Sequence, residues 1–168
     1  MTDKPFEIMS FLIVEDDVGR LMSLAEAFTE SRIYNKLIGL PTGKAALEYL
    51  DSGTQHARKM AADALLFSDT MPDMSWQELV RAVRANSLLE HLRLVLMTDH
   101  TSKEIVSDTL GTALDLILPR YIGSSEMVAS LYKIPSFWCS FVRPNPDHPV
   151  KPPVRTFTAQ SHSSVVLN

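Results

Sequence analysis

Five short apolar runs, each separated from the next by a segment of helical periodicity or polar turns, constrain the fold of this 168-residue chain. The first run, from Ile8 to Val14, is rich in branched side chains and ends abruptly in three acidic residues. An apolar run of this kind is typical of a strand buried on both faces, as parallel sheets require. Strands that alternate with helices predict an α/β doubly wound sheet. The later runs cover residues 33–40, 64–67, 92–97 and 114–118.

Apolar residues at helical spacing predict the helices between these strands. One helix is expected from Val18, with Asp17 as its cap, and others over residues 75–85 and 101–111. A last helix is expected from Ser124 to about Val142. From residue 143 onward the chain holds five of its ten prolines and shows no periodicity. These patterns predict one domain over residues 1–142 and an extended or disordered tail over residues 143–168.

The composition excludes several classes of function. A net charge of −4 with scattered basic residues argues against a nucleic-acid partner. Cys139 is the only cysteine, so there is no disulfide framework and no cysteine-based metal site. Residues 1–10 lack the layout of a signal peptide, and no apolar run approaches the roughly 20 residues of a membrane helix. We therefore expect a cytoplasmic protein with no membrane partner.

Acidic and hydroxyl side chains follow the predicted strands. Parallel sheets of this type bind their ligands beyond the carboxyl ends of the strands, so these residues are the candidate site. Clustered carboxylates raise each other's pKa unless a cation neutralises them, and Mg²⁺ is the cation that prefers oxygen ligands. The pattern therefore predicts a possible magnesium site; the residues after strands one, three and four are Glu15, Asp16, Ser68, Asp69, Thr98 and Asp99.

The segments FLIVEDD, ALLFSDTMPDM, VLMT and LILP resemble the receiver domain of two-component response regulators, over about residues 11–131. The resemblance implies a flavodoxin-like (βα)5 sheet with strand order 2-1-3-4-5 and a C-terminal extension. It implies that Glu15 and Asp16 hold Mg²⁺, that Thr98 contacts the phosphoryl group, and that Leu118 stands at the position of the family's lysine. The segment YKIPSFWCSFV resembles the last helix of small single-domain receivers that accompany bacterial phytochrome kinases.

The phosphoacceptor position is Ser68 or Asp69. Counting forward from Asp63 and backward from Met71-Pro72, the family pattern reaches Ser68 in both directions. An acceptor at Asp69 requires a one-residue insertion before it and a one-residue deletion after it, relative to the family pattern. A shift of one residue along a strand also turns the side chain to the other face of the sheet. We favour Ser68 and keep Asp69 as the alternative, with Asp69 also a possible third metal ligand.

The favoured acceptor position holds Ser68, and the position of the family's lysine holds Leu118. These two departures from the family pattern predict an atypical receiver that acts by protein contact, is not an enzyme and lacks normal aspartate phosphorylation. The alternative is a phosphorylatable receiver that uses Asp69, with Mg²⁺ on Glu15 and Asp16. A flavodoxin-like enzyme has little support, since no glycine-rich phosphate loop is present. The expected partners are a histidine kinase or another signalling protein and a second copy of the chain. Aromatic residues of the last helix are either core residues or the dimer contact: Phe137, Trp138 and Phe141.

Overall fold

The computed structural model describes residues 9–33, 35–55, 62–100, 113–134, 155–158 and 164–167. Five parallel strands form the sheet in the order 2-1-3-4-5, which confirms the predicted flavodoxin-like fold class. The strands in the described residues are β1 Ser10–Val14, β2 Lys36–Leu40, β3 Ala64–Ser68, β4 Arg93–Met97, β5 Leu116–Leu118, β6 Arg155–Thr158 and β7 Ser164–Leu167. The last two extend the sheet beyond β2: β6 is parallel to β2, and β7 is antiparallel to β6.

Both faces of this sheet are covered, which explains why the strands are continuous apolar runs. Successive residues of β1 alternate between two cores: Phe11 and Ile13 belong to one, Leu12 and Val14 to the other. Within the described residues the α-helices are α1 Val18–Glu30, α2 Gly43–Gln55, α3 Trp76–Ala85 and α4 Ser124–Leu131. The first core contains the buried faces of α1 and α4, and the second those of α2 and α3.

Local signals place the starts of α1 and α3 as predicted. The carboxylate of Asp17 accepts the backbone N–H of Arg20 at 3.0 Å and caps α1. Ser75 and Glu78 form a capping box, in which each side chain binds the backbone N–H of the other. The helix expected over residues 101–111 lies outside the described residues.

The last helix is shorter than the sequence predicted. It ends at Leu131 rather than at about Val142, and Tyr132 is its C-cap. Pro135 explains an end at this point, because a proline inside a helix has no N–H to donate to the carbonyl four residues earlier and its ring clashes with that carbonyl. Residues 135–154 lie outside the described part of the chain.

The strands β6 and β7 lie within the predicted C-terminal tail, residues 143–168. Thr156 pairs with Ile38 of β2 and Val166 of β7, so this part of the extended segment is hydrogen-bonded into the sheet. The remaining residues of the tail lie outside the described residues. Among the helices that the structure describes, none has the length and apolar character needed to cross a membrane.

Candidate functional site

The acidic residues after β1 lie at the carboxyl edge of the sheet. The backbone N–H of Glu15 donates to the carbonyl of Leu40 at 3.1 Å, which continues the pairing of β1 with β2. The Glu15 side chain is 4% exposed, whereas that of Asp16 is 33% exposed. The cap of α1 is Asp17, as predicted, and not either of the two predicted metal ligands.

Arg20, in the first turn of α1, places its guanidinium among these carboxylates. Its Nη2 donates to Glu15 Oε1 at 3.0 Å and lies 3.6 Å from Asp16 Oδ1, while Nη1 lies 3.9 Å from Asp17 Oδ2. The hydrogen bond to Glu15 is the main cause that raises the pKa of Arg20, and a side-chain hydrogen bond with Tyr121 adds to it. The backbone N–H of Arg20 in turn lowers the pKa of Asp17.

The sequence reasoning did not identify Arg20 as part of the site. Its one sequence signal is a spacing of four residues from Asp16, which brings the two side chains to the same side of a helix start. An arginine at that spacing is common on helix surfaces, so only the structure identifies its contact with the buried Glu15.

Ser68 is the last residue of β3 and is buried, with 1% of its surface exposed. Its hydroxyl lies 3.2 Å from the hydroxyl of Thr70 and accepts the backbone N–H of that residue at 3.3 Å. These contacts form a local turn after the strand. Among the described residues, no acid or histidine lies within hydrogen-bond reach of the Ser68 hydroxyl, so none of them can act as a base for it.

Asp69 follows the strand, and its side chain is 8% exposed. Its Oδ2 accepts the hydroxyl of Thr98 at 2.5 Å, which joins the ends of β3 and β4. Its Oδ1 lies 3.7 Å from Nη1 of Arg120 and, among the described residues, has no hydrogen-bond partner. The imidazole of His100 lies 3.7 Å from Oδ2 and is mostly exposed. The structure thus brings Asp69 together with the predicted phosphate contact Thr98.

The guanidinium beside Asp69 comes from Arg120, which the sequence reasoning also missed. Leu118, at the position of the family's lysine, is buried with 1% exposure, and its carbonyl accepts the Thr98 N–H at 2.9 Å. Two residues later, Arg120 reaches Asp69 and donates from Nη2 to the hydroxyl of Thr70. A basic residue just after Pro119 was the available signal, but its reach across the edge depends on the tertiary fold.

The predicted magnesium ligands Glu15, Asp16 and Asp69 do not fit a metal ion in this arrangement. Mg²⁺ demands near-octahedral oxygen coordination. In the part of the chain that the structure describes, no group of three or more histidine, cysteine, aspartate or glutamate side chains could hold a metal. Arg20 is the counter-ion of the first two acids and Arg120 that of the third.

A cavity of about 270 Å³ adjoins both arginines. It lies between α1 and the segment that joins β5 to α4, and its lining includes Glu15, Arg20, Met97, Arg120 and Tyr121. The Nε atoms of both arginines are buried and have no hydrogen-bond partner among the described residues. Glu15, which follows β1, and the loop after β5 therefore border one cavity. The predicted dimer contacts Phe137, Trp138 and Phe141 lie outside the described residues.

The sheet order and the residues at its carboxyl edge define the class of fold: it is that of a receiver domain, as the sequence resemblance predicted. The sequence is 23% identical over 147 residues to response regulator Rcp1 of Synechocystis sp., a match that covers 84% of this chain and 97% of that protein. No protein-family model matches the chain.

Solved structures of response regulators have the same fold. The bacteriophytochrome response regulator RtBRR superposes with a TM-score of 0.71 at 21% identity, over 83% of this chain and 86% of that one. A response regulator in red light signalling of R. palustris gives 0.63 at 19% identity, over 81% and 97%. The phosphorylated cyanobacterial phytochrome response regulator RcpA gives 0.62 at 16% identity, over 82% and 98%.

Proposed function

We propose that this chain is an atypical single-domain response regulator of two-component signalling, which acts by protein–protein contact without normal aspartate phosphorylation. The receiver fold and the likeness to phytochrome-linked regulators support the pathway. The ion pairs of Arg20 with Glu15 and Asp16 are the observation that supports the loss of phosphorylation. In this proposal the chain is a non-enzymatic, cytoplasmic signalling module.

Phosphoryl transfer to a carboxylate depends on cations that offset the negative charge of the transferred group. Here Glu15 and Asp16, the acids that would hold such a cation, are paired with Arg20 in the first turn of the helix that follows them. Asp69 is 8% exposed, and its Oδ1, which has no hydrogen-bond partner among the described residues, is buried beside Arg120, so the approach of a phosphoryl donor is restricted. Ser68, the favoured acceptor position, is a buried alcohol without a described base and is a poor nucleophile.

A phosphorylatable receiver that uses Asp69 is the second candidate function. The observation that favours it is the environment of that carboxylate, which lies beside the hydroxyl of Thr98 and the guanidinium of Arg120. A hydroxyl donor and a cation are the groups that would stabilise phosphoryl oxygens. In this candidate Arg120 takes the role that Leu118 cannot perform, and Mg²⁺ on Glu15 and Asp16 requires Arg20 to move away.

Treatment with acetyl phosphate and MgCl₂, followed by intact mass spectrometry, tests the two candidates. We expect no gain of one phosphoryl group by the wild type, while a receiver of known activity in the same buffer is modified. The variants Asp69→Asn and Ser68→Ala identify the acceptor if a gain is seen. A base-labile gain that disappears in Asp69→Asn and persists in Ser68→Ala would establish the second candidate and exclude the first.

The partner surface in this proposal includes an exposed apolar pair on α1. Val18 is 63% exposed and Met22 is 44% exposed, and their spacing of four places them on one face of the helix beside the acidic edge. Two apolar side chains on one exposed face are the kind of anchor that a partner helix can cover. A histidine kinase or another signalling protein is the proposed partner at this face of α1. A second copy of the chain is the proposed partner at a different surface.

A further inference from the structure

The carboxylates that follow β1 share one guanidinium. Glu15, Asp16 and Asp17 lie 3.0, 3.6 and 3.9 Å from nitrogen atoms of Arg20, and Glu15 is nearly fully buried. We propose that Arg20 is a permanent counter-ion of this acidic group, that it makes the group independent of divalent cations, and that its removal creates a divalent-cation site there.

The geometry makes Arg20 a better neutraliser than a dissolved ion. The Asp17 carboxylate accepts the backbone N–H of Arg20 at 3.0 Å, so the start of α1 holds the arginine beside the acids. Nη2 donates directly to the buried oxygen of Glu15 at 3.0 Å. A divalent cation at these oxygens would have to displace a charge that is covalently tethered and would also be repelled by it.

Without Arg20 the same backbone presents unneutralised carboxylate oxygens. Glu15 Oε1 retains the backbone N–H of Asp17 at 3.1 Å. Asp16 Oδ1, which has no hydrogen-bond partner among the described residues, is left without its nearby cation. The Asp16 side chain is one-third exposed, so water and a hydrated cation can reach its carboxylate once the guanidinium beside the buried Oδ1 is removed. Oxygen ligands with several retained waters are the usual setting for Mg²⁺, and Mn²⁺ accepts the same ligands.

Thermal unfolding with MgCl₂, with MnCl₂ and with EDTA at equal ionic strength tests this proposal on the full chain. We expect the wild type to unfold at the same temperature in all three. Arg20→Gln is expected to unfold at a lower temperature in EDTA and to rise by roughly 3–6 °C when the metal is at about ten times its dissociation constant. Arg81→Gln, which removes an exposed arginine of α3, is the matched control and should behave as the wild type.

A double variant, Arg20→Gln with Glu15→Gln, separates a specific site from general screening, because it is expected to lose most of the metal response. Arg20→Lys keeps one positive charge and is expected to remain unresponsive. Direct titration of Mn²⁺ into the wild type, read by its electron paramagnetic resonance signal, needs no variant to fold. Stoichiometric binding there, or an Arg20→Gln variant as unresponsive as the Arg81→Gln control, overturns the proposal.

This inference uses the same ion pairs as the proposed function, but its readout is metal binding rather than phosphorylation. A chain that binds no metal and yet is phosphorylated would refute the proposed function alone. A wild type that binds Mn²⁺ and is never phosphorylated would refute the metal-independence alone.

Discussion

At the scale of single residues, Asp69 shows how a side chain one position from the expected acceptor is held in the site. The strand β3 ends at Ser68, and the next residue turns towards the ends of β4 and β5. The hydroxyl of Thr98 donates to Asp69 and also accepts the backbone N–H of His100 at 3.0 Å. This one hydroxyl therefore fixes both the acid and the backbone that follows β4.

Replacement of Thr98 by valine, which has the same shape, is expected to lower the free energy of unfolding by about 1–3 kcal/mol, because a buried carboxylate oxygen and a backbone N–H lose their partner. Urea unfolding at neutral pH measures the change. Thr29→Val is the control, since the exposed Thr29 donates to a carbonyl of its own helix, that of Ala25 at 2.9 Å. Equal losses of unfolding free energy in the two variants would show that the hydrogen bond between Thr98 and Asp69 stabilises the fold no more than the bond of Thr29 on a helix surface.

At the scale of elements, two helices near the site are capped in different ways. Helix α3 is capped by its own neighbours Ser75 and Glu78. The first turn of α2 has a local cap, in which the hydroxyl of Thr42 accepts the backbone N–H of Ala45 at 3.1 Å. It also has a second cap from another loop: the carboxylate of Asp73, which follows β3, accepts the N–H groups of Gly43 at 3.0 Å and Lys44 at 2.8 Å. A local capping box can be predicted from sequence, whereas a cap supplied from thirty residues away cannot.

The capping box of α3 predicts a pH dependence. Hydrogen bonds from the backbone and hydroxyl of Ser75 lower the pKa of Glu78 in the folded chain. A lowered folded-state pKa stabilises the protein above the unfolded value, about 4.3 for glutamate, and this contribution is lost as the pH falls through the folded-state pKa. Glu78→Gln should therefore be less stable than the wild type at pH 7, and the difference should vanish in acid.

Urea unfolding midpoints across the range from neutral to acidic pH measure this difference. Ser75→Ala removes a donor to Glu78, so it should also weaken the pH dependence. If the wild-type and Glu78→Gln curves run parallel down to the lowest pH, the capping box does not hold the Glu78 carboxylate in its charged form.

At the scale of the whole molecule, the sheet continues past the receiver-like part of the chain. β6 covers the free edge of β2, and β7 becomes the outermost strand. An outer strand leaves a row of unpaired N–H and C=O groups, which is a template for pairing with another chain. The aromatic residues Phe137, Trp138 and Phe141, outside the described part, precede these strands and remain the predicted dimer contact.

We expect the chain to be a homodimer held by the segment after α4 and by the tail. Size-exclusion chromatography with light scattering at high micromolar concentration should give twice the chain mass. A truncation that removes residues 143–168 should be monomeric, and a shorter truncation that removes only residues 164–168 tests whether β7 contributes. A wild type that is strictly monomeric at high micromolar concentration contradicts the prediction.

Much of the fold was predictable because its signals are local. Continuous apolar runs identified β1, β3 and β4, and the cap Asp17 identified the start of α1. The end of the last helix was misjudged, because helical spacing of aromatic residues outweighed Pro135 in the prediction. Aperiodic, proline-rich sequence likewise gave no sign of β6 and β7, since their pairing depends on the free edge of β2.

The sequence by itself determined which elements form, and it brought Glu15, Asp16, Asp69 and Thr98 to one edge, because parallel strands place their carboxyl ends together. Only the tertiary structure decided which charges meet there. Arg120 pairs with an acid fifty-one positions away in the chain, and Arg20 reaches a glutamate that the sheet has buried. Charge pairing depends on distances in space and on burial, and neither is encoded in residue spacing along the chain.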